Sequence, residues 1–203
     1  MPKRKNNNGD RTRQLLAQEA ARIIVDHGIR DYRVAKTKAA ERLGFNSRGS
    51  LPANAEIERA VSEHLQLFRG ESHTHLLLML RLAALSAMDM LRPFSPRLVG
   101  PVLQGTADDH SAINLHVFAD SPEAVAVTLS EQGLNYRPYE RRLKSRRNQV
   151  ETYAGFEFKF EHTLVQSTVF PVDGIRQAPI SPINGKPMQR ADVDAVRELI
   201  AAD

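Results

Sequence analysis

The strongest concentration of charge in the 203-residue chain lies between residues 137 and 147, where six basic side chains accompany a single acid, Glu140. Clustered positive charge suits a polyanionic partner, such as nucleic acid, nucleotide phosphates or an acidic protein. Residues 1–13 form a second basic cluster. A disordered tail and a solvated hairpin would produce the same two clusters, so both interpretations stay open. The basic residues of the central cluster, called the basic segment below, are Arg137, Arg141, Arg142, Lys144, Arg146 and Arg147.

Three tyrosines, Tyr136, Tyr139 and Tyr153, flank the basic segment. Arginine beside tyrosine can bind phosphates and stack on a base, which favours a nucleotide or nucleic-acid partner. A charged edge strand would use the same residues to discourage aggregation between sheets. The sequence alone does not separate these two roles.

The first half of the chain predicts helices, because its apolar residues recur every three or four positions. We expect residues 1–10 to be a disordered basic tail and residues 11–93 to be a helical region. Gly28, Gly44 and Gly70 are expected to end helices, and Asn54 to cap one. The expected helices span residues 12–27, 31–43, 54–70 and 72–91.

The second half changes period and predicts a sheet, so the expected fold class is α+β. The N-terminal helical region is expected to pack on a small mixed sheet formed by residues 94–170. A Pro/Gly-rich arm and a closing helix then occupy residues 171–203. The expected strands span residues 98–103, 113–118, 135–143, 155–160 and 164–170, and the expected helices span residues 121–132 and 191–201.

One segment of this second half, GPVLQGTADDHSAINLHV, resembles the signature of the nucleotidyltransferase superfamily, which has the DNA polymerase β-like fold. In that family a Gly-Ser turn and a later glycine precede the pattern Ser-Asp-h-Asp-Leu, where h is apolar. The resemblance covers roughly residues 94–170 and leaves the helical region outside. The positions that match without a gap are Gly100, Gly105, Ser111, Ile113, Leu115 and Val117.

Nucleotidyl transfer in this family uses two Mg²⁺ ions held against a triphosphate. Two carboxylates at alternate positions of one strand share the ions, a third acid lies on a neighbouring strand, and the glycine turn approaches the phosphates. The resemblance therefore implies a nucleotide site at Gly100, Gly105, Ser111, Asn114 and His116, with the basic segment as further phosphate contacts.

The chain departs from this pattern at the metal-binding positions. Ala112 and Asn114 stand where the two acids are expected, and Pro101 replaces the serine of the turn. The strand expected to carry the third acid has Gln166 and no Asp or Glu. The resemblance thus implies a divergent member without the usual two-metal catalysis, with Mg²⁺ as a cofactor only if activity survives.

Other carboxylates could substitute for the missing acids. Asp108 and Asp109 lie between the glycines and the strand, and Glu157 lies on a later strand. Adjacent acids in a loop can bind a cation, but they are more often solvated turn residues. His116 shares a strand face with Asn114, and as a ligand it would prefer a transition metal to Mg²⁺. A strand histidine that is hydrogen-bonded within the fold or partly exposed is the simpler interpretation of His116.

Several classes of protein are excluded or disfavoured by the sequence. The chain has no cysteine, which removes disulfides, cysteine-containing zinc fingers, iron–sulfur clusters and thiol nucleophiles. It has no G-x-x-x-x-G-K-[ST], G-x-G-x-x-G or G-x-S-x-G pattern. Its most apolar stretch contains Arg81 and Asp89 and cannot supply about 20 uncharged residues for a bilayer. We expect a soluble, cytoplasmic protein without a membrane partner.

Three functional hypotheses follow. The first is a nucleotidyltransferase-like protein that binds nucleotides or regulates, with a degenerate metal site. The second is an active nucleotidyltransferase that uses substitute carboxylates. The third is a basic nucleic-acid-binding module without catalysis.

Overall fold

A computed structural model describes residues 7–29, 31–45, 51–146 and 149–202 of the chain. Most of the expected basic tail and Arg147 lie outside these residues, as does the side chain of Arg146. The chain forms two compact units. Unit 1 contains residues 1–73 and 182–184, and unit 2 contains residues 74–181 and 185–203.

Unit 1 is helical, as the apolar spacing predicts. Helix α1 (Asn7–His27) ends before Gly28, whose φ of 63° is the left-handed conformation that glycine favours. Helix α2 (Tyr32–Arg42) begins at the cap Asp31, whose carboxylate accepts from the backbone of Arg33 and Val34. Both helices bury alanines, which lets their backbones approach closely. The buried core of the unit includes Ala20, Ile23, Ala35, Ala39, Ile57 and Leu65.

Helix α3 (Asn54–Met90) contributes to both units. Gly70 interrupts it with non-helical angles, φ 17° and ψ −108°, at the position where the sequence predicts a helix end. The residues after the interruption bury an apolar face that includes Leu77, Leu80 and Met88 in the core of unit 2. The boundary between the units therefore falls inside α3, at residues 73 and 74.

Unit 2 is a five-stranded mixed sheet with helices, which confirms the α+β class. The strand order is β1-β2-β5-β4-β3, and every neighbouring pair is antiparallel except β2–β5, which is parallel. The elements are β1 (Arg97–Val99), α4 (Pro101–Gln104), β2 (Ile113–Phe118), α5 (Pro122–Glu131), β3 (Tyr136–Arg146), β4 (Gln149–Phe160), β5 (Thr163–Phe170) and α6 (Val193–Ala202).

The two faces of this sheet differ in character, because side chains alternate along each strand. One face carries Leu115, Val165 and Phe158 into the apolar core that also includes side chains of α3, α5 and α6. The opposite face carries polar side chains, among them Asn114 and His116, and is called the polar face below. None of the helices in the described ranges combines the length and apolarity that crossing a bilayer requires.

One predicted strand is wrong over most of its length. The sequence favours a strand over residues 98–103, but β1 ends at Val99 and the short helix α4 begins at Pro101. Gly100, with φ 75°, turns the chain, and proline suits the first helical position because it needs no backbone donor there. Strand β2 matches its predicted limits, residues 113–118.

Candidate functional site

The two glycines of the predicted turn enclose α4. Gly100 precedes the helix with φ 75° and ψ −154°, and Gly105 follows it with φ 77° and ψ 19°. The pairing of Val99 with Asn114 brings the turn beside β2. A Cβ on Gly100 would lie 3.4 Å from Nδ2 of Asn114, so the turn approaches this side chain closely. The fold thus brings together Gly100 and Asn114, two of the residues that the resemblance implies for the site.

A row of polar residues crosses the sheet from Asn114. Asn114 pairs with Gln166, Gln166 with Glu157, and Glu157 with Arg137, so all four share the polar face. Gln166 donates from Nε2 to Oε2 of Glu157 over 2.8 Å, and Arg137 lies 3.6 Å from Oε1. Glu157 is therefore a carboxylate of this row, but it lies two strand spacings, about 10 Å, from Asn114.

Asn114 is buried and makes two hydrogen bonds through its amide. Nδ2 donates to the carbonyl oxygen of Ala112 over 3.1 Å, and Oδ1 accepts from Nη1 of Arg141 over 3.2 Å. Strand β3 is three spacings from β2, about 14 Å in a flat sheet. Arg141 also lies four residues along β3 from Arg137, the residue in register with Asn114. The contact therefore spans a diagonal longer than the two extended side chains can reach, so the sheet must bend toward the polar face, which makes this face concave.

Tyr139 covers the middle of the polar face. Its ring lies over Gly155, where an added Cβ would be 2.4 Å from ring carbon Cζ, and its hydroxyl lies 2.9 Å from Oγ1 of Thr168. Burial raises the pKa of Tyr139, so its hydroxyl is neutral. The guanidinium carbon of Arg141 lies 6.0 Å from the centre of this ring. Tyr139 was predicted as a neighbour of the basic segment, whereas the role of Gly155 in admitting its ring has no signal in the local sequence.

The second half of the polar face is organised by His116 and Arg190. His116 is 1% exposed, and its Nδ1 accepts from Nε of Arg190 over 3.0 Å. Arg190 also donates from Nη1 to the carbonyl oxygens of Gly174 and Ile175, over 2.8 Å and 3.3 Å. Its guanidinium carbon lies 5.0 Å from the ring centre of Phe118 and 4.9 Å from that of Phe170.

The electrostatics of this pair follow from burial beside other cations. Burial, together with the charges of Arg190 and Arg141, holds the pKa of His116 well below its ordinary value. Burial and the neighbouring charge of Arg97 lower the pKa of Arg190 to about 10. Burial, and then a hydrogen bond to Glu151, raise the pKa of nearby Tyr153 to about 12. At neutral pH the imidazole of His116 is therefore uncharged, and Arg190 is a cation.

Ser111 and Asp108 form a local turn rather than a site on the sheet. Ser111 Oγ donates to Oδ1 of Asp108 over 2.8 Å and accepts from the Asp108 backbone over 2.9 Å. The backbone of His110 also donates to Oδ1 of Asp108, and Asp109 is exposed. Among the described residues, no three or more His, Cys, Asp or Glu side chains group in a way that could hold a metal ion.

Strand alternation divides the basic segment. Arg137 and Arg141 pair with Glu157 and Tyr153, on the polar face. Arg142 and Lys144, which follow Arg141 along β3, lie on the opposite face, because successive side chains of a strand point to opposite sides. Their role as phosphate contacts stays a prediction, on the face of β3 away from Asn114. Arg146, by its side chain, and Arg147 lie outside the described residues.

Arg190 is the main residue that sequence reasoning missed. It lies next to the closing helix, at the end of the Pro/Gly-rich arm, where no period indicates which side chains face the sheet. Its place on the polar face follows from the bridge between Leu98 and Ala191, which adds this part of the arm to the edge of β1. Arg97, on β1, lies on the same face and bonds to the carbonyl oxygens of Ser95 and Pro96.

Comparisons of the chain with family models, with curated proteins and with solved structures found no match. Its function is therefore inferred from the residues of the site. These residues form a concave polar face with arginines, a neutral histidine and amides, in which Glu157 is the carboxylate of the row that crosses the sheet.

Proposed function

We propose that unit 2 is a nucleotide-binding module of nucleotidyltransferase-like arrangement, which binds or senses a nucleotide and does not use the two-metal reaction. The observation that carries this proposal is the hydrogen bond from Arg141 to Oδ1 of Asn114, at the strand position where the resemblance implies an acid.

The chemistry of this contact favours phosphate binding without a metal. A carboxylate at position 114 would neutralise Arg141, whereas the amide of Asn114 accepts a hydrogen bond and leaves the positive charge in place. A guanidinium beside a neutral acceptor can pair with a phosphate oxygen in the role that Mg²⁺ plays in the superfamily. Gly100 approaches Asn114 closely at the same end of β2, where the resemblance implies that the glycine turn meets the phosphates.

Nucleotide titration of the full-length chain tests the proposal. Isothermal titration with each of the four NTPs is run once with Mg²⁺ and once with EDTA. We expect binding of at least one NTP in both conditions. Absence of heat for all four NTPs in both conditions would refute the nucleotide-binding function.

A matched pair of variants separates the site from general charge. Arg141→Gln and Arg197→Gln each remove one positive charge, but exposed Arg197 lies on α6 and bonds to Asp194. We expect Arg141→Gln to weaken nucleotide binding about tenfold, equivalent to about 1.4 kcal/mol, and Arg197→Gln to change it less than about twofold. Equal effects of the two variants would contradict the assignment of Arg141.

An active transferase is the second candidate, and the position of Glu157 in the polar row favours it. Its carboxylate is held by Gln166 and Arg137 on the face that would bind the nucleotide. Incubation with labelled NTP and Mg²⁺ or Mn²⁺ measures transfer directly. Activity lost in Glu157→Gln would support this candidate, and activity retained in Glu157→Gln, Asp108→Ala and Asp109→Ala would remove these carboxylates from the reaction.

A further inference from the structure

Two side-chain nitrogens of the polar face are buried without a hydrogen-bond partner among the described residues: Nε2 of His116 and Nη2 of Arg190. Both are donors. Arg190 can only donate, so Nδ1 of His116, which receives its hydrogen bond, carries no proton. The neutral imidazole then carries its proton on Nε2. The pKa of His116, lowered by burial and by the neighbouring arginines, agrees with this tautomer.

The two unpartnered donors belong to one local arrangement. Nη2 of Arg190 is separated by a single carbon from the Nε that bonds to His116, and Nε2 of His116 is separated by a single carbon from the Nδ1 that accepts. They therefore flank the same hydrogen bond. Buried donors without acceptors are rare and destabilising. Two such donors side by side therefore indicate that an acceptor from outside the chain binds between them.

The charges around the pair also lack a counterion. Arg97 bonds to backbone carbonyls, Arg141 to the amide of Asn114, and Arg190 to backbone carbonyls and to His116. None of these three arginines forms an ion pair with a carboxylate in the described part of the chain. The charges of the neighbouring arginines reach this pair: Arg141 contributes to the lowered pKa of His116, and Arg97 contributes to the lowered pKa of Arg190.

We propose that the unpartnered donors of His116 and Arg190 form a phosphate site, in which a phosphate group accepts from Nε2 of His116 and Nη2 of Arg190. A phosphate supplies several acceptor oxygens and up to two negative charges. It therefore provides both the acceptors that the two donors lack and the negative charge that the three arginines lack. Both donors are shielded from solvent, so binding must displace at least one neighbouring side chain. The inference rests on the proposed function only for the view that the phosphate belongs to a nucleotide.

Inorganic phosphate is the probe, and the imidazole of His116 provides the direct readout. Nitrogen-15 NMR of the full-length protein at about 0.15 M NaCl, where long-range attraction between exposed charges is screened, follows the Nε2 resonance during titration. We expect a saturable shift of this resonance with phosphate and a much weaker one with acetate at equal concentration. No saturable shift with phosphate, or an equal response to acetate, would overturn the phosphate site.

Variants test the same site independently of that signal. Arg97→Gln removes a neighbouring charge and leaves both donors in place, whereas Arg197→Gln removes an exposed charge that is paired with Asp194. We expect Arg97→Gln and His116→Gln to weaken phosphate binding about fivefold or more and Arg197→Gln to change it less than about twofold. Unchanged affinity in Arg97→Gln would overturn the proposal, and this test stands even if His116→Gln does not fold.

The outcomes also separate this inference from the proposed function. Phosphate that shifts His116 while no NTP binds would support the phosphate site and refute the nucleotide-binding function. NTP binding without any phosphate effect on His116 would support the nucleotide-binding function and refute the phosphate site.

Discussion

Nη1 of Arg141 donates a 3.2 Å hydrogen bond to Oδ1 of Asn114, and this contact links the edge strand β3 to β2, three positions away in the sheet. The two residues come from features that look unrelated in the sequence, a basic segment and a strand that lacks expected acids. Their contact places a positive charge beside a neutral amide, on the concave face that also holds His116 and Arg190.

Acid should destabilise the protein through His116. Burial and the charges of Arg190 and Arg141 hold its pKa in the folded protein well below the ordinary 6.5. Below pH 6.5 the unfolded chain therefore takes up a proton that the folded protein refuses, so this contribution to stability is complete above pH 6.5 and is lost as the pH falls below it. The added slope approaches about 1.4 kcal/mol per pH unit.

Urea unfolding between pH 8 and about pH 5 measures this slope. His116→Gln should reduce the pH dependence of the free energy of unfolding, whereas His110→Gln, in an exposed loop position, should leave it as in the parent protein. The same slope in the parent and in His116→Gln would contradict a buried neutral histidine.

The two glycines around α4 should respond differently to asparagine. Gly105 has the left-handed angles φ 77° and ψ 19°, which asparagine tolerates, whereas Gly100 has φ 75° and ψ −154°, which only glycine adopts readily. We expect Gly105→Asn to lower the free energy of unfolding by at most about 1 kcal/mol and Gly100→Asn by about 2–3 kcal/mol. Chemical denaturation of both variants measures the difference, and equal losses would contradict this turn geometry.

The position of the Tyr139 ring should allow only glycine at position 155. A Cβ at position 155 would lie 2.4 Å from Cζ of that ring, so Gly155→Ala must displace the tyrosine or bend the strand. We expect a loss of about 1–3 kcal/mol in the free energy of unfolding. In a Tyr139→Ala background the same substitution should have little effect, because the clash is absent. A double-mutant cycle measures this coupling, and additive effects would show that the ring does not lie over Gly155.

The hairpin of β3 and β4 tests the alternative of a nucleic-acid-binding module. Arg142 and Lys144 are exposed on the face of β3 opposite Arg141. If nucleic acid binds there, the affinity for a single-stranded oligonucleotide should fall steeply between about 50 and 200 mM salt, because released counterions drive such binding. The double variant Arg142→Gln, Lys144→Gln should make the plot of log affinity against log salt concentration less steep, by about the amount expected for the loss of two phosphate contacts. Fluorescence anisotropy measures both quantities, and a flat salt dependence would exclude this function.

Local patterns in the sequence were sufficient for most of the elements. The limits of β2 and the glycine that ends α1 depend on residues within a few positions of one another. The alternation of Phe156 and Phe158 likewise indicates the buried side of β4. One local prediction failed: residues 101–103 look like strand, but Gly100 turns the chain and α4 forms.

The sequence by itself determined that the chain has a helical first half, a sheet in the second half and a concentrated positive charge, because helix and strand periods, caps and charge are local properties. Tertiary structure decided which polar residues meet. The pairing of β2 with β5 aligns Asn114 with Gln166, and the bridge at Ala191 brings Arg190 to His116. Such pairings depend on contacts between segments far apart in sequence, so no local spacing encodes them.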